Sequence, residues 1–185
     1  LASGTDAFIF DGNDTGLIIG ERINPTGKKK LQEELASGRF DLLMELARIQ
    51  ENAGAQVLDV NVAVPGCNEA DIMTKAVEKL SWDIKVPLCL DSADPKVFEK
   101  ALRIYPGRAL VNSVSLDGEK TDAVLSVVKK YGSMTILLPL SGARLPKSIE
   151  EKHENIRKLV KRAKEYGLSE EDFMADALTM SVASV

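Results

Sequence analysis

The chain has 185 residues, 44% of them hydrophobic and 28% charged, with a net charge of −4 and a pI near 5.2. This is enough apolar material for one buried core, and the acidic balance offers no basic face to a nucleic-acid backbone. No apolar run approaches the roughly 20 residues of a membrane helix, and two cysteines, Cys67 and Cys89, are too few for a disulfide framework or a zinc cluster, so a reducing cytoplasm is the expected compartment.

Residues 1–16, LASGTDAFIFDGNDTG, carry neither a basic leader nor a long apolar core and read as a tail or linker. Strands are expected to begin near residues 17, 57, 86, 109, 134 and 173, in the runs LIIGER, VLDVN, VPLCLDS, ALVNSV, MTILLPL and FMADAL. Helical patterns separate them. Leu42, Leu46, Ile49 and Ala53 share one helical face, with Gly54 placed to stop it. Ile72, Ala76 and Leu80 form the next stripe. Asp94-Pro95 reads as an N-cap followed by proline in the first turn, opening a helix through Leu102. Val124, Val127 and Val128 line the following helix, closed by Gly132. Ser148 and Glu151 form a capping box ahead of Ile156, Leu159, Val160 and Ala163, and Gly167 ends that helix.

The strands are near-continuous apolar runs rather than alternating ones, the pattern of a parallel sheet covered by helices on both faces. A doubly wound sheet would carry a glycine-rich phosphate turn after its first strand. Here GERINPTG follows, with neither GxGxxG nor a P-loop. The polar residues Glu21, Arg22, Asn24, Asp59, Asn61, Asp91, Asn112 and Asp176 fall at the C-terminal ends of different strands, and in a β/α barrel those ends share the face where chemistry is done. The expected class is therefore α/β, of the (β/α)8 TIM-barrel type, over residues 17–185. Eight units occupy ~250 residues in a typical barrel. About six units are legible here, so a C-terminally truncated barrel is the expectation.

GERINPTGKKK, AQVLDVNVAVPG, PLCLDSADP, YPGRALVNSVS and MADALTMSV, in order along residues 17–185, together resemble the pterin-binding methyltransferase family. That family includes the folate module of cobalamin-dependent methionine synthase and the methyltetrahydrofolate:corrinoid protein methyltransferases, with dihydropteroate synthases as more distant relatives. The resemblance implies methyl transfer between N5 of tetrahydrofolate and the cobalt of a corrinoid carried by a partner protein. It implies tetrahydrofolate or methyltetrahydrofolate as small-molecule substrate and a homodimer as assembly. It matches Asp91, Asn112 and Asp176 to residues on the pterin's pyrimidine edge, and Glu21, Asn24 and Asp59 to a set near the ring, with Asn61 beside them. It also implies an asparagine on a seventh strand, beyond the six legible here.

The donor and acceptor chemistry is suited to that ligand. The pyrimidine edge carries an amino group, a ring N–H and a carbonyl in one plane; aspartate accepts from the N–H groups and asparagine both donates and accepts. Two other readings stand beside this one, a dihydropteroate synthase-like pterin enzyme and a non-catalytic folate-binding domain. Asp176, inside an apolar run, is expected to be buried with a ligand or a polar partner. Asp59 and Asn61 also fit a polar layer inside a barrel. Glu21 and Arg22 are read as an internal ion pair, and Lys28, Lys29 and Lys30 as a solvated loop. His153 is read as solvated and Cys89 as core. Cys67 lies in the loop after the second strand with no histidine to activate it.

Overall fold

A computed structural model describes residues 1–9 and 16–179. In chain order the elements are β1 (Ile19–Ile23), α1 (Lys29–Ala36), α2 (Asp41–Asn52), β2 (Val57–Asn61), α3 (Glu69–Asp83), β3 (Leu88–Asp91), α4 (Pro95–Leu102), β4 (Leu110–Leu116), α5 (Glu119–Tyr131), β5 (Met134–Ser141), α6 (Ile149–Glu165), a 3₁₀ turn (Glu170–Asp172) and β6 (Phe173–Ala175). All six expected runs are strands, and they are ordered β1 to β6 as in the chain. β1 pairs with β2, β2 with β3 and β5 with β6, each in parallel. No helix among the described residues is long and apolar enough to cross a membrane.

The chain divides into two compact units, Leu1–Val111 and Asn112–Val185. In the first, Val57, Leu58 and Val60 of β2 and Leu88, Cys89 and Leu90 of β3 are buried, as the unbroken apolar runs require. The stripe Ile72, Ala76 and Leu80 of α3 is buried and widened by Met73 and Val77. The Asp94 carboxylate accepts from the Lys96 N–H at 2.9 Å and Pro95 opens α4, so both signals at that helix start act as expected. Asn68 caps α3 through the Asp71 N–H. Ion pairs join α2 to α3 (Arg48–Asp83, 2.6 Å) and α3 to α4 (Lys100–Asp71, 2.8 Å). All four side chains are substantially exposed, so such pairs add little stability. Residues 1–9 lie against this unit. Ala2 bridges Arg108, and the Tyr105 hydroxyl donates to the Ala2 carbonyl while accepting from the Leu88 N–H, both at 3.0 Å.

Two expectations fail here. Lys29 and Lys30 do not sit in a loop but open α1, a helix that the apolar pattern does not announce. The core face of α2 is Leu43, Ala47 and Gln50, one position away from the expected stripe. Leu42 and Leu46 are only partly buried and Ile49 is exposed. The reason is polar. The Gln50 side chain is taken inward by the Arg22 N–H, which donates to its Oε1 at 2.7 Å, while its amide donates to the Leu46 carbonyl.

In the second unit, Val124, Leu125 and Val128 of α5 are buried, with Leu125 taking the place expected for Val127. Leu159 and Ala163 of α6 are buried as expected, but Ile156 and Val160 are only partly so. The inward position is held instead by Asn155, whose amide donates to the Pro139 carbonyl at 3.0 Å. Ser148 caps α6 by accepting from the Glu151 N–H, yet the box does not close. The Glu151 carboxylate takes the Arg144 guanidinium and the Lys147 N–H. Gly54, Gly132 and Gly167 stop α2, α5 and α6 in the left-handed region, at φ of 94°, 64° and 75°.

Candidate functional site

The polar residues of the first unit are organised by strand register. Parallel pairing sets Asp59 beside Cys89 and Asn61 beside Asp91. Side chains two apart along a strand share a face, so these four line one side of β2 and β3 in two rows. Glu21, one residue past the Gly20–Leu58 pair of β1, is near enough to act on Cys89 electrostatically. The face thus carries three carboxylates, one amide and one thiol within three adjacent strands.

Asp59 is buried, and the Cys89 thiol hydrogen-bonds its carboxylate. Burial, followed by the negative charge of Asp59, Asp91 and Glu21, pushes the Cys89 thiol well above the ordinary thiol range. Asp91 ends β3, and partial burial raises its carboxyl above the usual carboxylate range. The Asn61 amide opposes that shift by donating to Asp91 Oδ2 at 2.9 Å. Asn61 Oδ1 in turn accepts from the Ala63 N–H at 3.0 Å, a turn local to the loop after β2. Asn24 behaves similarly in the loop after β1, where its Oδ1 accepts from the Thr26 N–H at 2.9 Å.

Other expectations about single residues are corrected. Glu21 and Arg22 are both exposed, and no ion pair joins them among the described residues. The Arg22 carbonyl accepts instead from the Lys28 ammonium. Asp176 is exposed rather than buried. β6 is three residues long and ends at Ala175, and the Asp176 carboxylate turns back to accept from the Leu178 N–H at 2.7 Å. Asn112 is half-buried at the third position of the seven-residue β4 rather than at its end. His153 is exposed as expected. Sequence reasoning misses the thiol–carboxylate contact, because the apolar run around Cys89 marks it as core. The available signal is the shared spacing Asp59-x-Asn61 and Cys89-x-Asp91 on neighbouring strands.

Residues 20–183 match the family described as pterin binding enzyme. The chain belongs to that family. It is 27% identical over 173 residues to the methylcorrinoid:tetrahydrofolate methyltransferase of Eubacterium limosum, covering 91% of this chain and 62% of that protein. It is 26% identical over 184 residues to the methionine synthase of Mycobacterium leprae, covering 96% of this chain and 15% of that protein. The chain therefore spans less than two thirds of either relative. Among solved structures it is similar to the dihydropteroate synthase of Xanthomonas albilineans in complex with 7,8-dihydropteroate, at a TM-score of 0.66 and 18% identity over 89% of this chain and 60% of that one. The Yersinia pestis dihydropteroate synthase bound to a pterine–sulfa conjugate is also similar, at a TM-score of 0.66 and 19% identity over 87% of this chain and 58% of that one. At these identities the structural likeness establishes the fold, the α/β class of pterin-binding barrels.

The two cysteines of this family member should separate chemically. Cys89 is buried with its thiol held against a carboxylate, whereas Cys67 is half-exposed in the loop after β2. Alkylation and disulfide exchange need an accessible thiolate. Titration with Ellman's reagent is expected to count one thiol in the native protein and two in denaturant. Two fast thiols in the native state would show that the Cys89–Asp59 contact does not hold the strand face closed.

Proposed function

We propose that this chain is the pterin-binding part of a methyltransferase that moves a methyl group between N5 of tetrahydrofolate and the cobalt of a corrinoid carried by a partner protein. The observation that carries the proposal is the polar face of β1, β2 and β3 in a member of the pterin-binding family. The name of the Eubacterium limosum relative, matched along nearly the whole of this chain, supports methyl exchange between a corrinoid and tetrahydrofolate over other pterin chemistry. In this reading Asp91 accepts from the ring N–H and amino groups of the pterin's pyrimidine edge. Glu21, Asn24 and Asp59 lie nearer the reduced ring.

The chemistry assigned to the protein is binding and charge. In the forward direction the N5–methyl bond breaks with its electron pair kept by N5, which takes a proton, while the methyl carbon bonds to the partner's cobalt(I), whose own electron pair forms the new bond and leaves the cobalt formally trivalent. A neutral tertiary amine is a poor leaving group, so positive charge at N5 must be favoured before or during transfer. Carboxylates fixed around the ring supply that preference as a preorganised field.

The test is the transfer itself. The protein should demethylate methyltetrahydrofolate with cob(I)alamin as acceptor, read as methylcobalamin by its absorbance, and should run the reverse with methylcobalamin and tetrahydrofolate. Formation of 7,8-dihydropteroate from a dihydropterin pyrophosphate and p-aminobenzoate, with no methyl transfer, would instead establish the synthase reading. Folate binding without either reaction would establish a binding domain.

A further inference from the structure

We infer that Asn61 is a positioning residue that holds Asp91 as a fixed hydrogen-bond acceptor, rather than a residue that itself contacts the ligand. This deepens the proposed function and rests on it for the ligand's identity. The geometry is carried by two bonds from one side chain. Asn61 Oδ1 accepts from the Ala63 N–H at 3.0 Å, and Asn61 Nδ2 donates to Asp91 Oδ2 at 2.9 Å. The first bond fixes which way the amide points, because a backbone N–H can meet only the oxygen. The second is then a donation that cannot be reversed without breaking the first. Parallel register sets the two residues side by side at the ends of β2 and β3, so neither needs to move to make the contact.

The consequence for Asp91 is specific. One carboxylate oxygen is turned to Asn61, and its orientation is set; among the described residues no donor meets Oδ1, whose lone pairs are left for a donor outside the strand pair. A carboxylate that must accept two N–H groups of a planar ligand edge is useful only when ionised and only in one rotation. Asn61 acts on both properties. The titratable groups on the same face are Glu21 on β1, Asp59 on β2 and Cys89 on β3, none of which is cationic at neutral pH. The partial burial of Asp91 opposes its ionisation, and the Asn61 donor favours it.

The test uses Asn61→Asp and Asn61→Ala. Asn61→Asp keeps the oxygen that accepts from Ala63 and replaces the donor with a second carboxylate, so the loop stays capped while the support for Asp91 is lost. Asn61→Ala removes both bonds. The carboxyl carbon of Asp91 is titrated by NMR without ligand, and methyltetrahydrofolate binding is measured by calorimetry from pH 5 to 8. In both variants the Asp91 midpoint should rise by about one pH unit or more. The acid limb of binding should move up by the same interval, and affinity should approach that of wild type at the top of the range in Asn61→Ala. A uniform loss of affinity at every pH with an unmoved Asp91 midpoint would make Asn61 a direct ligand and overturn the inference. An unmoved midpoint with unchanged binding would overturn it equally. If wild type binds no folate while the midpoint moves, the proposed function fails and the amide–carboxylate couple stands.

Discussion

Replacing Asp91 with alanine is expected to weaken methyltetrahydrofolate binding by roughly 5- to 150-fold. A hydrogen-bonded group removed from one side leaves its partner's N–H groups unpaired in a partly dry site, at a cost of ~1–3 kcal/mol, and each 1.4 kcal/mol or so is tenfold in affinity. Calorimetry against the folded variant reads this directly. Lys29→Ala is the control. Lys29 is exposed in the first turn of α1, with a loose 3.9 Å contact to Glu33, so its loss should change affinity very little. The pH profile adds a second readout. The Asp91 carboxyl titrates above the usual carboxylate range because burial disfavours its charge, so wild-type binding should fall as pH drops through that raised value. The same shift has the opposite sign for stability of the unliganded protein. A folded-state pKa above the unfolded one stabilises the fold below the unfolded value and loses that contribution as pH rises through the folded value. Asp91→Asn should therefore raise Tm at pH 7 relative to wild type while abolishing the acid limb of binding. Loss of Tm together with intact affinity would mean that Asp91 is a structural residue of β3.

Much of this arrangement is legible in the amino-acid sequence, and the failures have common physical causes. The six strands are legible because a strand buried on both faces must be apolar throughout, and short unbroken runs such as VLDV and PLCL have few other uses. The cap at Asp94 is legible because aspartate before proline satisfies a helix start in only one way. What is not legible is where a polar side chain displaces an apolar one from an inward position. Gln50 and Asn155 both point inward, and each pairs there with a backbone group, the Arg22 N–H and the Pro139 carbonyl. Hydropathy assigns both to solvent. The same applies within the candidate site. The strand-end polar residues can be found from sequence, but not which of them serve each other. Asn61 donating to Asp91, and the Cys89 thiol to Asp59, depend on a parallel register that sequence spacing does not set. The burial expected of Asp176 is not found for a simpler reason: β6 stops one residue before it, and the carboxylate accepts from the Leu178 N–H.

The displaced face of α2 gives the largest expected effect on stability. Leu43→Ala should cost about 2–5 kcal/mol, the range for a leucine truncated inside a packed core that relaxes only partly. For a chain of this length each kcal/mol corresponds to about 2–4 °C in Tm, so a fall of roughly 4 to 20 °C is expected. Leu43 is fully buried, whereas Leu42 and Leu46 are only partly so. Leu42→Ala and Leu46→Ala should each therefore cost less than half as much, since less apolar area is exposed and little cavity is left. The sequence permits the reverse order. DLLMELARIQEN carries apolar residues on more than one side of the helix, and the stripe through Leu42, Leu46 and Ile49 is the more hydrophobic. Only the Gln50 amide, drawn in by the Arg22 N–H as β1 continues past Gly20, turns Leu43 and Ala47 to the core. Thermal melts of the three variants measure the rotation of α2 directly. A larger loss from Leu42→Ala than from Leu43→Ala would show that the apolar stripe, and not the buried amide, sets how this helix lies on its strands.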